Sequence, residues 1–392
     1  MVVPDSDKGY AVDEEEIRVL TTTLDSFKSY TNFTVDRLVR PRRAKYARLD
    51  DKYKKLVDKF FLEHLDAVQD AIESNGFFLD TVAEVAAMNF DAPEDRSQWS
   101  RATMIDVDKA QSTIRQLYRE WSVEGRVERD QYSIRIFDEL TQWYPDRKQR
   151  HQVRVLVPGC GLGRLPLDLA ALGFQAQGNE FSFHMLFTSN FIINHLTNIN
   201  EFRIFPNVHS FSHHRNRSHQ VQPVLIPDLS PSILLQHAAN DPDIPEEGLM
   251  SMTAGSFDMI YPPPDGSLFD VIVTVFFLDT AANVFNTLQT ISDSLVEGGK
   301  WINYGPLLWH YEEIPPDGNT ELDPNSQEED RSCGFEFSLE DVIDLLPKFG
   351  FRIEKRESDI PTTYTHSPYS MGGYLYKCEY WVATKVTMGT RE

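Results

Sequence analysis

Three glycines and one acid carry the clearest chemical pattern in this 392-residue sequence. Gly159, Gly161 and Gly163 stand at alternate positions after the apolar run 153–157, and Glu180 follows seventeen residues after Gly163. A glycine turn lets backbone N–H groups approach a ligand closely, and an acid at the end of the next strand accepts hydrogen bonds from ribose hydroxyls. The pattern therefore predicts a site for a nucleoside.

The residue at position 164 bears on which nucleoside is bound. A dinucleotide-binding turn needs a third glycine there, and this chain has Arg164, which disfavours NAD. The alternate glycines instead resemble the first motif of S-adenosylmethionine-dependent methyltransferases. Those enzymes usually carry an acid two residues before the first glycine, where this chain has Val157. Other residues must then hold the methionyl end of the ligand, and a generic α/β turn is the alternative interpretation.

The elements that position this turn alternate between strand and helix patterns. The runs 153–157 and 174–178 are predicted strands around a helix, and further strand patterns follow the long segment 198–248. Before residue 143 only helical spacing of apolar residues is found. We therefore expect an α/β fold with a doubly wound, seven-stranded, Rossmann-like sheet of the methyltransferase type. The expected domains are a helical N-terminal extension at 1–145, which contributes to the donor site, and a catalytic domain at 146–392 with an insertion at about 198–248.

Composition narrows the partners and the compartment. The formal charge of −22 argues against binding to nucleic acid, since the field of the chain repels phosphates. No apolar run is long enough to span a membrane, and the first residues lack a signal-peptide pattern. The cysteines Cys160, Cys333 and Cys378 show no C-x-x-C spacing. We expect a cytoplasmic protein, with the nucleus as a second compartment, and no membrane partner.

Two further clusters admit two interpretations each. Four histidines cluster in the first half of the insertion without cysteine or carboxylate partners at zinc-finger spacing, so surface or capping roles are favoured over a metal site: His209, His213, His214 and His219. The stretch 37–55 contains nine basic residues. It is interpreted either as a solvated helix face or as a docking patch for an acidic partner.

Longer strings resemble one family specifically, the carnosine N-methyltransferases. The resemblance covers about 106–385 and is carried by PGCGLGRLPLDLAALGFQAQGNEFSFHMLFTSNF, SMTAGSF, FFLDTAANV, WINYGPLLWH and TTYTHSPYSMGGYLYKCEY. Members transfer a methyl group from S-adenosylmethionine to an imidazole nitrogen of carnosine, giving anserine. The resemblance implies the same reaction here, with S-adenosylhomocysteine as product, no metal ion, a small-molecule or peptide histidyl substrate, and a homodimer as the assembly.

The resemblance also assigns the residues that bind the donor. Arg119 would help to hold the methionyl end in the absence of an acid at position 157, because a planar guanidinium suits the methionyl carboxylate. Its alternative role is a pair with a surface acid. Ser256 replaces an acid that the family pattern places beside adenine, and its hydroxyl could still bond to the amino group. The implied donor-binding residues are Gln116, Arg119, Gly159, Glu180, Ser256 and Phe257.

For the acceptor, the resemblance points to Asp279 and His310 as catalytic and substrate-binding residues. Asp279 follows the predicted fourth strand and His310 the fifth, and ligands of such sheets bind at these strand ends. His310 would complete a polar clamp or take up the released proton. Three tyrosines would add substrate contacts: Tyr364, Tyr374 and Tyr376.

Two other functions remain open from the sequence. A protein-histidine N-methyltransferase would share every motif named above and differ in having an open acceptor mouth. A non-catalytic adapter that kept the nucleoside fold would have lost Asp279 or His310, and both are present.

Overall fold

The computed structural model describes residues 14–244, 249–312 and 335–387. Within these ranges five α-helices precede the first strand: α1 (Glu14–Leu38), α2 (Arg40–Ala47), α3 (Asp51–Asn89), α4 (Met104–Trp121) and α5 (Arg126–Trp143). Helix α4 begins at a capping box, in which Thr103 and Asp106 each accept from the other's backbone N–H. The predicted helical N-terminal region is confirmed.

Strands and helices alternate after α5. They are β1 (Arg154–Pro158), α6 (Arg164–Ala171), β2 (Gln175–Glu180), α7 (Phe183–His195), β3 (Phe202–Ile204), α8 (Arg217–Gln220), β4 (Val224–Ile226), α9 (Pro231–Ala239), β5 (Met250–Ala254), α10 (Phe257–Ile260), β6 (Phe269–Val275), α11 (Val284–Ser294), β7 (Leu295–Gly305), α12 (Leu339–Leu345), β8 (Phe351–Thr362) and β9 (Tyr376–Lys385). Seven of these strands form one sheet in the order β5-β2-β1-β6-β7-β9-β8. Strand β9 runs antiparallel to both of its neighbours, and the ladders from β5 to β7 are parallel. The predicted seven-stranded, doubly wound sheet is confirmed.

Alternating side chains cover both faces of this sheet. Val155 and Val157 of β1 pack with α5 and α6 on one face, while Leu156 points into the cluster formed with α10, α11 and α12 on the other. Trp301 of β7 and Trp381 of β9 lie in the second cluster and are fully buried. Strands that bury both faces need apolar residues at nearly every position, and the apolar runs seen in the sequence reflect this.

The helical extension packs against one side of the sheet domain. Buried residues of α1, α3 and α4 share one core with Phe187 and Ile192 of α7. Within the basic stretch, Arg37 pairs with Asp108 at 2.7 Å and Arg43 pairs with Asp66. Acidic residues of the same chain therefore neutralise part of the positive charge of 37–55.

The insertion is more regular than its sequence suggests. It contains the antiparallel pair β3–β4 and the short helices α8 and α9. Strands of three residues are too short to show a period of two, so the sequence pattern could not reveal them. Its histidines contact the rest of the chain: His209 Nε2 lies 2.7 Å from Tyr30 Oη, and the ring of His219 stacks on Tyr369.

Metal-ion and membrane partners were both considered in the sequence analysis. In the three described ranges, no group of three or more His, Cys, Asp or Glu side chains could hold a metal ion. None of the helices described here is long and apolar enough to cross a bilayer. Cys333 lies outside the described residues, while Cys160 and Cys378 are buried free thiols.

Candidate active site

A cavity of about 500 Å³ opens at the carboxyl ends of β1, β2 and β6. The ends of these strands contribute Val157, Glu180 and Val275 to its wall. Six of the residues assigned from the sequence line it: Gln116, Arg119, Gly159, Glu180, His310 and Tyr364. Of the acceptor-side assignments, His310 and Tyr364 thus share one cavity with the donor-side residues, whereas Asp279, Tyr374 and Tyr376 are not among its lining residues.

The glycine turn forms the floor of the cavity. A Cβ atom on Gly159, whose φ is +60°, would lie 2.6 Å from Cδ2 of Phe277. A Cβ atom on Gly161, whose φ is +58°, would lie 2.6 Å from Oε1 of Glu120. Only glycine permits both the left-handed backbone and this close approach.

Glu180, at the end of β2, is tied to the backbone on both sides of the cavity. Its Oε2 accepts from Gly161 N–H at 3.0 Å, and its Oε1 accepts from the N–H groups of Phe181 and Ser182, both at 2.9 Å. Burial raises the pKa of Glu180 to about 7, against the effect of these donors. The carboxyl group of Glu180 thus lies at the strand end predicted to bind ribose.

Arg119 is buried in an aromatic box at the end of α4. Its guanidinium carbon lies 4.2 Å from the ring centre of Tyr364, 5.0 Å from that of Phe276 and 5.3 Å from that of Tyr132. The carboxylate of Glu128 lies 3.9 Å from Nε, and Nε has no hydrogen-bond partner among the described residues. A buried, incompletely paired cation facing a cavity suits an anionic ligand group, and its burial excludes the surface ion pair.

A chain of hydrogen bonds crosses the cavity wall beside Arg119. Tyr364 Oη donates to Gln116 Oε1 at 3.1 Å, and Gln116 Nε2 donates to Glu120 Oε1. Glu120 also accepts from the backbone N–H groups of Leu162 and Arg164, at 3.1 and 3.4 Å. Tyr364, assigned to the acceptor from the sequence, thus contacts the donor-side residues.

Glu120 is a cavity residue that sequence reasoning missed. It stands four residues after Gln116, so the two side chains share a helix face, and this spacing was the available signal. What the face meets could not be read from the helix itself. In the folded chain it meets the glycine turn, where Glu120 supplies acceptors for N–H groups at the start of α6.

The segment after β8 is held over the cavity by a second buried acid, Glu128 of α5. Its Oε1 accepts from Thr363 Oγ1 at 2.7 Å and from His366 N–H at 2.9 Å, and its Oε2 accepts from Thr365 N–H at 2.8 Å. These bonds fix the backbone on both sides of Tyr364. The tyrosine ring is thereby kept against Arg119.

The two residues assigned to adenine lie beside the cavity rather than in its wall. Ser256 is exposed at the start of α10 and its side chain caps no N–H group there. Phe257 is buried, and its ring meets that of Phe277 edge-to-face at 5.6 Å. Phe277 in turn covers Gly159, so the ring of Phe277 lies between Phe257 and the glycine turn.

Asp279 and His310 are brought together as the strand ends predict. Asp279 lies in the single 3₁₀ turn after β6, and its backbone carbonyl accepts from His310 N–H at 3.0 Å. The Asp279 side chain is 4% exposed, and Oδ2 accepts from Leu308 N–H at 2.9 Å. Burial raises the pKa of Asp279, while the Leu308 N–H and nearby His310 oppose the change.

Aromatic rings connect Asp279 and Arg119. Phe276 has a φ of +52°, a strained value for a residue with a large side chain, and its ring lies 6.0 Å from that of Tyr376. Burial raises the pKa of Tyr376, and the negative charge of Asp279 raises it further. Tyr374 stacks on Tyr376 at 6.3 Å but is 83% exposed, which places it at the outer rim.

A buried ion network fixes the last turn of α4. Arg129 donates to the carbonyls of Arg119 and Ser122, both at 2.8 Å, and Arg164 donates to the carbonyl of Glu120 at 3.0 Å. Asp228, from the insertion, pairs with Arg129 and with Arg164, each at 2.6 Å. Arg164, whose place in the glycine turn disfavours NAD, therefore has a structural role beneath the cavity.

Replacing Asp228 by alanine should lower the free energy of unfolding by on the order of 3 kcal/mol, because two nearly buried arginines would lose a shared carboxylate. Asp66→Ala is a matched control, since it removes an exposed partner of Arg43 and should cost less than about 1 kcal/mol. Urea unfolding measures both values. Equal losses in the two variants would contradict a buried network.

Comparison with known proteins gives the family. A family described as carnosine N-methyltransferase matches residues 96–387. A carnosine N-methyltransferase of Schizosaccharomyces pombe is 36% identical over 376 residues, covering 94% of this chain and 96% of the relative. One from Mus musculus is 34% identical over 385 residues, covering 96% and 89%, and one from Dictyostelium discoideum is 33% identical over 382 residues, covering 94% and 76%. On this similarity, which spans almost the whole length, the chain belongs to the carnosine N-methyltransferase family.

Proposed function

We propose that this chain transfers a methyl group from S-adenosylmethionine to an imidazole nitrogen of carnosine or a related histidyl dipeptide. The observation that carries the proposal is the single cavity that joins the glycine turn and Glu180 to His310. A nucleoside-bound methyl donor and an imidazole acceptor require such a shared space, since the two reacting atoms must meet in line.

On this proposal the donor lies along the glycine turn. Glu180 would accept from the ribose hydroxyls, and Phe257 with Phe277 would form the apolar side of the adenine site. Arg119 would bind the methionyl carboxylate, which supplies the hydrogen-bond acceptor that Arg119 Nε lacks among the described residues. Gln116, bonded to Tyr364, would keep the neighbouring wall in place. When bound, the donor supplies an electrophilic methyl group on a positively charged sulfur.

The acceptor would lie between the ends of β6 and β7. Neutral imidazole has one protonated nitrogen and one with a free lone pair, and only the latter can attack a methyl group. Asp279 would accept from the N–H of the far nitrogen, which selects the tautomer and stabilises the positive charge that develops on the ring. His310, Tyr376 and Tyr374 would line the approach, with His310 closing the polar clamp.

Aromatic rings near Arg119 would serve the transfer itself. Phe276 contacts the Arg119 guanidinium and the rings of Tyr364 and Tyr376, and the charge of Asp279 acts on Tyr376. Their rings exclude water from the path of the methyl group and their faces attract positive charge. We also propose that the division at 145 separates an extension, which supplies Gln116 and Arg119, from the catalytic domain.

The purified chain should convert carnosine and S-adenosylmethionine into anserine and S-adenosylhomocysteine. Labelled methyl groups from the donor would be followed into anserine by chromatography. A parallel reaction with a protein extract tests the alternative acceptor, a histidine in a protein. If label appeared in protein and none in anserine, the acceptor would be a protein histidine instead of the dipeptide. No transfer to either acceptor would contradict the proposed activity.

A further inference from the structure

The methionyl end of the proposed donor carries an ammonium group and a carboxylate on one carbon. The proposed function assigns the carboxylate to Arg119 and leaves the ammonium group without an anion. Val157, where an acid was expected, is buried and presents an apolar side chain to the cavity. A different acid must face the cavity if the ammonium group is recognised by its charge.

Glu120 satisfies this requirement. It is 5% exposed, lines the same cavity and directly follows Arg119 in the last turn of α4. Building on the proposed function, we propose that the Glu120 carboxylate binds the ammonium group of S-adenosylmethionine. Arg119 and Glu120 then form a pair of opposite charges that matches the amino-acid zwitterion.

The hydrogen bonding of Glu120 leaves room for such a ligand. Its donors are Gln116 Nε2 and the backbone N–H groups of Leu162 and Arg164, all of them neutral. A carboxylate offers about four acceptor sites, so these three donors do not exhaust it. Burial raises the pKa of Glu120, which reports the cost of keeping this charge out of water. An ammonium group would offset that cost.

The neighbouring Arg119 gives the second observation. Its side chain is 5% exposed, and Nε finds no hydrogen-bond acceptor in the described part of the chain. Two adjacent buried charges of opposite sign, each with bonding capacity left over, therefore face one cavity. A ligand with a single charge would satisfy only one of them.

Glu120 also supports the glycine turn, and a test must separate the two roles. Three ligands do so: S-adenosylhomocysteine, its deaminated analogue without the amino group, and 5′-methylthioadenosine, which lacks the amino-acid part. Calorimetry on the full chain would compare wild type with Glu120→Gln. The variant should bind S-adenosylhomocysteine tenfold to about a hundredfold more weakly, as expected for loss of a charged hydrogen bond. Both other ligands should bind within about twofold of wild type.

Glu124→Gln, at an exposed position just beyond α4, is the matched control and should change none of the three affinities. Unchanged binding of S-adenosylhomocysteine to Glu120→Gln would overturn the inference. So would a parallel loss for all three ligands, because that pattern identifies a purely structural residue. Wild type that binds no S-adenosylhomocysteine would instead contradict the proposed function.

A second variant covers the case in which Glu120→Gln fails to fold. Glu120→Asp keeps the negative charge on a shorter side chain. It should still prefer S-adenosylhomocysteine over the deaminated analogue, by severalfold or more. Equal affinity of folded Glu120→Asp for these two ligands, in the face of a clear preference by wild type, would overturn the inference.

Discussion

Asp279→Asn should lower the turnover of carnosine by about a hundredfold or more while the affinity for S-adenosylhomocysteine stays close to that of wild type. Asparagine has the same shape and can still accept from Leu308 N–H, which Asp279 Oδ2 now does at 2.9 Å. It lacks the negative charge that would orient the imidazole N–H and stabilise the developing cation. Anserine formation measures turnover, and calorimetry measures donor affinity.

A matched control lies at the other end of the same strand. Asp270, near the start of β6, also accepts from a backbone N–H group, that of Arg154 at 2.8 Å. Asp270→Asn should keep near-normal turnover, because the site lies at the carboxyl ends of the strands. Near-normal turnover in Asp279→Asn would show that the acceptor site lies elsewhere. A loss of activity that occurs only together with a loss of donor binding would show the same.

Arg119→Ala should weaken binding of S-adenosylhomocysteine by tenfold to about a hundredfold, because it removes the proposed partner of the methionyl carboxylate. The KM for carnosine should change much less, since Asp279 and His310 are untouched. Initial rates at varied donor and acceptor concentrations separate the two effects, and calorimetry measures the affinity for S-adenosylhomocysteine directly.

Two further substitutions serve as controls for this prediction. Arg119→Lys keeps the charge but not the planar fork, so it should recover only part of the affinity. Arg126→Ala removes an exposed arginine that pairs with Asp130 on the first turn of α5 and should leave donor binding unchanged. A normal donor affinity in Arg119→Ala would show that Arg119 does not bind the donor and only packs against Tyr364 and Phe276.

Local features of the chain were readable from the sequence. Short apolar runs predicted the central strands, because strands of a parallel sheet that is covered on both faces bury nearly every side chain. Alternate glycines announced the turn, because only glycine adopts the left-handed backbone at Gly159 and Gly161 without strain. The same reasoning placed Glu180, Asp279 and His310 at strand ends.

Contacts between distant segments were decided only by the tertiary structure. The helical spacing of α4 puts Gln116 and Glu120 on one face, but the glycine turn that this face meets lies about forty residues further along. Asp228 reaches Arg129 across a separation of 99 residues, and Tyr364 reaches Gln116 across 248. No local pattern encodes such pairs, because they arise when whole elements dock and bury their apolar faces together. The sequence therefore determined which residues could do chemistry, and packing decided which of them meet.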